Sequence, residues 1–145
     1  MESIRVTSVD QLKACFEVRL KVFVEEQHVP EHLEMDEKDE SPEACHHILI
    51  VDEGKPVATS RWYEYQPNTA KFQRVAVLQD YRGKGLGKQL ILEMEKQAKE
   101  LNCHTSILDA QCHAEGFYSQ LGYEVISAEP FYDANILHVR MKKPL

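Results

Sequence analysis

Residues 79–88 read Gln79-Asp80-Tyr81-Arg82-Gly83-Lys84-Gly85-Leu86-Gly87-Lys88, and three of the chain's six glycines stand here at alternate positions. The stretch follows an apolar run, Phe72-Gln73-Arg74-Val75-Ala76-Val77, and precedes Leu86, Leu90, Met94 and Ala98 at four-residue spacing, with Ile91 alongside. That order predicts a strand, a glycine turn and a long amphipathic helix ended by Asn102. Glycine permits positive φ and a close approach of main chain to a ligand. The first N–H groups of a helix lack internal partners, and the helix dipole adds positive potential there. Arg82, Lys84 and Lys88 bring further positive charge. This chemistry calls for a phosphate or pyrophosphate.

Spacing separates the phosphate ligands. A Walker A loop needs G-x-x-x-x-G-K-[ST], but Gly83 and Gly87 enclose three residues and Gln89 follows Lys88. The dinucleotide fingerprint needs G-x-G-x-x-G, and this loop is G-x-G-x-G.

The rest of the chain reads as one domain, residues 1–145. A short strand at Ile4–Val6 leads to a helix capped by Ser8 or Asp10, with Leu12, Cys15, Phe16 and Leu20 on one face. Pro30 and the acidic residues after it predict a loop with room for a short helix. Ile48–Val51 and Val57–Tyr65 read as strands joined by the hairpin turn Asp52-Glu53-Gly54-Lys55. A strand over about 70–77 precedes the glycine loop. Thr105–Leu108 is a further strand, and Ala114, Phe117, Tyr118 and Leu121 mark a short helix closed by Gly122. Tyr123–Val125 and Ile136–Met141 complete a mixed α/β order.

Charge and composition narrow the function. The formal charge is 17 − 24 = −7, opposite to that of a nucleic-acid binder. No apolar run nears the roughly 20 residues that span a bilayer. Met1–Arg5 has neither a basic nor an apolar leader region, so the expected location is cytoplasmic. Cys15, Cys45, Cys103 and Cys112 show no metal or disulfide spacing, and Pro30 keeps His28 and His32 off one helix face, so no metal is expected. Acidic residues crowd positions 25–43, including Glu34, Asp36 and Asp39. They read either as a solvated loop or as a field drawing in a cationic amine.

Arg82, Gly85 and Gly87 satisfy [RQ]-x-x-G-x-[GA], and with the preceding strand this segment resembles motif A of the GNAT superfamily of acetyl-CoA-dependent N-acyltransferases. Residues 109–123, Asp-Ala-Gln-Cys-His-Ala-Glu-Gly-Phe-Tyr-Ser-Gln-Leu-Gly-Tyr, resemble motif B. Val18–Gln27, then Pro30, Glu34, Asp36, Asp39 and His47, are similar to the ElaA/YjcF-like branch, whose substrates are poorly defined. The resemblance covers nearly the whole chain. It implies a mostly antiparallel sheet with a splayed parallel pair and flanking helices. It also implies acetyl-CoA as co-substrate, bound by Val75, Ala76, Val77, Arg82, Gly83, Lys84, Gly85, Leu86, Gly87, Lys88, Gln111, Ala114, Phe117 and Tyr118. Transfer to a primary amine would be direct, with no acyl-enzyme, in a monomer or homodimer.

Tyr118 aligns with the family tyrosine that faces the coenzyme sulfur, and a phenol with an ordinary pKa of about 10 can protonate a thiolate. The competing expectation is a core aromatic; Phe117 is expected to fill that core position instead. His138 sits on the last strand opposite Leu137, Val139 and Met141, in a segment resembling the His-x-x-Met ending of small-molecule acetyltransferases such as glyphosate acetyltransferase. An imidazole changes charge between pH 5 and 8 and suits a general base; the alternative is a hydrogen-bonded structural histidine. Cys112 is a weaker candidate, as a nucleophile. Glu34, Asp36, His47 and Arg74 are expected to hold the acceptor. A small amine or polyamine is the preferred acceptor, with a protein lysine or N-terminus, or a coenzyme-binding module without turnover, as alternatives.

Overall fold

The computed structural model describes residues 1–145. Strand β1 (Glu2–Arg5) leads to helix α1 (Val9–Arg19). Ser8 caps α1 in a reciprocal box with Gln11, so the hydroxyl rather than Asp10 starts the helix. The chain then continues as a π-helical segment, Leu20–Glu26. The buried face is Leu12, Cys15, Val18, Arg19 and Val22, whereas the predicted Phe16 and Leu20 are half-buried.

Helix α2 (Glu31–Glu34) and a 3₁₀ turn (Glu37–Asp39) lie in the acidic stretch. Strands β2 (His46–Asp52), β3 (Lys55–Gln66) and β4 (Thr69–Val77) form an antiparallel meander. Helix α3 (Leu86–Glu100) crosses over to β5 (Thr105–Gln111), which runs parallel to β4. Helix α4 (Glu115–Gln120) follows, then β6 (Glu124–Val125), β7 (Phe131–Asp133) and β8 (Ile136–Pro144). The sheet order is β1-β2-β3-β4-β5-β8-β6, with β7 also paired to β8. Strand β7 is absent from the sequence reading: it has three residues, too few to show alternation.

Helix α3 covers one face of the sheet with Leu86, Leu90, Ile91, Met94 and Ala98, all at 4% exposure or less. Each large side chain buried this way contributes about 1.5–3 kcal/mol. Asn102 takes positive φ (68°) just past the helix, and Gly122 (98°) does so after α4, as their positions predict.

The parallel pair sets up the site. Strands β4 and β5 pair from Thr69/Thr105 only to Phe72/Leu108. Beyond that point β4 continues along β3, and β5 continues along β8. A bulge causes the parting. Between the pairs Arg61/Gln73 and Thr59/Ala76 the strand β4 carries one extra residue, and Arg74 there has φ of 56°. Residues 73–77 and 109–111 therefore flank a gap, and the β4 main chain facing it has no partner strand.

Candidate functional site

That gap opens into a cleft of about 620 Å³. Residues 71–77 of β4 form one wall and Leu108, Asp109 and Gln111 the other. The π-helical segment with the residue after it (Val22, Phe23, Gln27), α4 (Phe117, Tyr118) and the β7–β8 hairpin (Asp133, Ala134, Ile136, His138) complete it.

At one end lies the glycine loop. Gly83 and Gly85 have φ of 78° and 81°, and a Cβ built on either meets nothing within 4 Å. Gly85 occupies the N-cap of α3 with no side-chain cap, and the next turn closes only with Gln89 N–H donating to Gly85 O (3.0 Å). The N–H groups of Leu86, Gly87 and Lys88 are thus free of helix partners. An open cradle of main-chain donors at a helix N-terminus fits a pyrophosphate. The Leu86 side chain serves the core, so only its main chain can contribute.

Arg82 lines the cleft, but its guanidinium is committed: Nε donates to Val77 O (3.0 Å) and Nη2 to Glu26 (2.8 Å). Lys84 lies over the Tyr81 ring (5.1 Å). Val75, Ala76, Val77, Gln111, Ala114, Phe117 and Tyr118 line the cleft, whereas Gly83, Lys84, Gly85, Leu86, Gly87 and Lys88 stand beyond its mouth. Gln111 also donates from Nε2 to Gln27 Oε1 (2.8 Å), joining β5 to the end of the π-helical segment across the cleft.

On α4 the two aromatics exchange their expected places. Tyr118 is the buried one (9%), within the main core, while Phe117 is 39% exposed and sits 3.2 Å from a Cβ built on Gly87. The helix turns Tyr118 to the core and cleft, and Phe117 to the glycine loop. Burial alone pushes the Tyr118 phenol up to about 12. Cys112 packs against the core and does not line the cleft, so nothing sets it up as a nucleophile.

His138 lines the cleft at 8% exposure, stacked on Phe131 (6.1 Å between centroids, 21°). Its Nδ1 lies 2.7 Å from the Ile136 carbonyl. A carbonyl can only accept, so the neutral ring carries its proton on Nδ1 and Nε2 keeps a lone pair.

The acidic stretch divides: Glu25, Glu26, Glu31, Glu37, Glu40 and Glu43 are exposed, as in a solvated loop, and three carboxylates turn inward. Glu34, Asp36 and Asp39 face three arginines, Arg19, Arg61 and Arg74. Arg19, 1% exposed, donates to Glu34 Oε2 (2.8 Å) and to both oxygens of Asp39 (2.7 and 2.9 Å). Arg61, also 1% exposed, forks onto Asp36 (2.8 and 2.7 Å) and reaches Asp39 (2.9 Å). Arg74 Nε lies 3.1 Å from Glu34 Oε2. Burial works against the Asp39 and Asp36 carboxylates, yet the arginines hold both below the usual range. These three carboxylates are matched by three arginines, while Glu25, Glu31, Glu40 and Glu43 of the same stretch stay exposed with no ion pair.

Of the residues expected at the acceptor, Glu34 and Arg74 line the cleft, and Asp36 and His47 do not. His47 is 2% exposed on β2, with Nε2 3.2 Å from the Lys38 carbonyl and no partner for Nδ1. Burial brings its imidazole down to about 4. Arg61 and Lys71 are absent from the sequence reading, and Arg19 and Gln27 enter it only within the Val18–Gln27 resemblance, with no role. A charged residue among the buried positions of α1 and another inside the apolar run of β3 were the available signals. No helix is long and apolar enough to cross a membrane.

Residues 9–145 match the family model described as an acetyltransferase (GNAT) domain. YjcF of Bacillus subtilis (strain 168), described as an uncharacterized N-acetyltransferase, is 38% identical over 143 residues, 99% of each chain. The Escherichia coli ElaA structure superposes with a TM-score of 0.85 at 26% identity over 98% of each chain. An acyl-CoA N-acyltransferase from Pseudomonas aeruginosa shares the fold, with a TM-score of 0.84 at 24% identity over 99% of each chain.

Proposed function

Because this chain belongs to the GNAT family of acetyltransferases, we propose that its cleft binds acetyl-CoA and transfers the acetyl group directly to the amine of a small-molecule acceptor. The observation that carries the reading is the parting of β4 and β5 beyond Phe72/Leu108, with the uncapped start of α3 at one end. The glycine loop holds the pyrophosphate through Gly83, Gly85, Gly87 and the first N–H groups of α3, with Lys84 and Lys88 at the rim. The gap-side main chain of Val75, Ala76 and Val77, where the Val77 carbonyl already accepts from Arg82, takes the pantetheine arm as a strand would. An N–H of this strand, aimed into the gap by the Arg74 bulge, stabilises the carbonyl oxygen as negative charge builds on it. Gln111, Ala114 and Phe117 wall the channel.

His138 Nε2, whose lone pair is exposed by the Nδ1–H···O=C bond, takes the proton from the attacking amine. The new C–N bond forms as the C–S bond breaks. Tyr118 meets the departing sulfur. A phenol at about 12 lies roughly 3.5 pH units above an ordinary thiol, so full proton transfer from it would cost about 5 kcal/mol. Tyr118 therefore acts chiefly by donating a hydrogen bond to the thiolate. Glu34 and Arg74 border the acceptor and are themselves ion-paired. A polyamine would have to be drawn by the exposed acids of positions 25–43, since Glu34, Asp36 and Asp39 are spent on arginines.

The test is thiol release from acetyl-CoA with a panel of primary amines, alongside calorimetric titration of acetyl-CoA into the wild type and Gly85→Val. Amine-dependent release is expected, with binding lost in the folded variant, because a β-branched residue at φ of 81° is strained and fills the cradle. Unchanged affinity in Gly85→Val would remove the loop assignment.

A further inference from the structure

We infer that the acceptor carries an acid group beside its amine and that Lys71 binds that group; this rests on the acetyl-transfer reading above. Lys71 lies on the cleft side of β4, opposite Ile107 of β5. Two residues further along β5, Asp109 also lines the cleft, but its carboxylate is already forked onto Arg140 (2.7 Å from Nε, 3.1 Å from Nη2). Lys71 Nζ stands 3.7 Å from Asp109 Oδ2 and 5.0 Å from the centre of the Tyr65 ring. The first distance is longer than a hydrogen bond, and an aromatic face is a weaker partner than a carboxylate.

The neighbouring ion pairs leave Lys71 able to take a ligand. Arg74 and Glu34, the other charged groups of this wall, belong to the balanced set of three arginines and three carboxylates. Lys71 and Arg140 share Asp109, whose two oxygens are taken up by the Arg140 fork, and the remaining cleft carboxylate, Asp133, stands on the β7–β8 hairpin and enters no ion pair. The Lys71 side chain is 14% exposed, and its ammonium, still within reach of water, hydrogen-bonds no group of the protein. A ligand carboxylate or phosphate would supply a partner through a charge-assisted hydrogen bond. A polyamine would set a second cation against it.

The geometry leaves room for both groups on one molecule. The pair Gln111/His138 is two residues along the sheet from Asp109/Arg140, about 7 Å. An acceptor with its amine at His138 and its acid a few bonds away spans that distance.

The experiment measures thiol release with matched acceptors: amino acids, their carboxamides, aminoalkyl phosphates and alkyl diamines. Acid-bearing amines are expected to exceed the carboxamides in kcat/KM by about 10–100-fold, the size of one hydrogen bond to a charged group. The carboxylate and phosphate arms decide which acid is read. Lys71→Met should compress the ratio of acid to amide toward one while acetyl-CoA affinity holds, and Lys71→Arg should restore part of the preference. Amides or diamines that match the acids in the wild type, or a preference that survives in Lys71→Met, would overturn the inference and leave acetyl transfer standing. Bound acetyl-CoA with no release to any amine would instead overturn the transfer reading, and this inference with it.

Discussion

At the coenzyme end of the cleft the recognising groups are main chain: the free N–H groups at the start of α3, the glycines at positive φ, and the unpaired side of β4. The acceptor end is backed by side chains tied in pairs that span long stretches of chain, such as Arg19 with Asp39, Arg61 with Asp36 and Arg74 with Glu34, of which only Glu34 and Arg74 line the cleft. The first kind of site needs glycine at fixed spacing, because only glycine adopts positive φ cheaply and keeps the ligand's path clear. The second kind can be assembled from anywhere in the sequence. Its surroundings decide its chemistry, so the same carboxylates can be a lure for cations or the counter-ions of a buried core.

The largest expected effect falls on the acceptor end. Asp39 serves two buried arginines, and removing one partner of a buried ion cluster leaves charge without compensation. Asp39→Ala should lower the unfolding free energy by about 3–5 kcal/mol, read from urea titrations. A loss below 1 kcal/mol would mean the cluster is solvated, and the contrast with the coenzyme end would disappear.

This difference in material also explains what could be read in advance. The strand–loop–helix at 72–100, the short helix ending at Gly122 and the hairpin at 52–55 all follow from local rules, and each stands where the sequence puts it. The inward carboxylates Glu34, Asp36 and Asp39 could not be told from their exposed neighbours, because the sequence shows their charge and hides their partners, which arrive from α1, β3 and β4. Lys71 carried no signal, since a lysine on a strand is ordinarily a solvated one; its significance comes from the Asp109–Arg140 fork beside it. Phe117 and Tyr118 are adjacent aromatics on one short helix, and only the packed position of α4 against Gly87 and the core assigns them.

A second effect, about as large, is carried by pH. The buried imidazole of His47 is brought down to about 4, below its unfolded value of roughly 6.5. A group with a depressed folded pKa contributes its stability above the unfolded value and loses it as pH falls. The unfolded chain takes up this proton between about 6.5 and 4, so stability should drop by about 3 kcal/mol across that window. Asp36 and Asp39, also depressed, extend the loss below pH 4. His47→Gln should flatten the upper part of the curve in denaturant titrations taken at a series of pH values. A slope that persists unchanged would assign it to other groups.

Smaller and confined to the coenzyme end is the effect of Tyr118→Phe. Losing a positioned hydrogen-bond donor at the sulfur should lower kcat by roughly 10²-fold, or about 2.7 kcal/mol, with acetyl-CoA affinity unmoved. A wild-type kcat measured in single turnovers would show that the sulfur is served from elsewhere.

Smallest of all is Gly87→Ala. The new methyl would stand 3.2 Å from the Phe117 ring, which is exposed enough to yield. Acetyl-CoA affinity should weaken about fivefold, or about 1 kcal/mol. A loss as severe as that of Gly85→Val would place the pyrophosphate closer to Gly87 than to Gly85.

The central claim is that main chain at one end of the cleft recognises the coenzyme while the ion cluster at the other takes no part. Amide-resolved NMR titration with acetyl-CoA tests it residue by residue. The largest shifts are expected at Val75, Val77, Gly83, Gly85 and Gly87, with Asp39 and His47 unmoved at saturation. Shifts centred on residues 36–47, with the glycine loop silent, would contradict it.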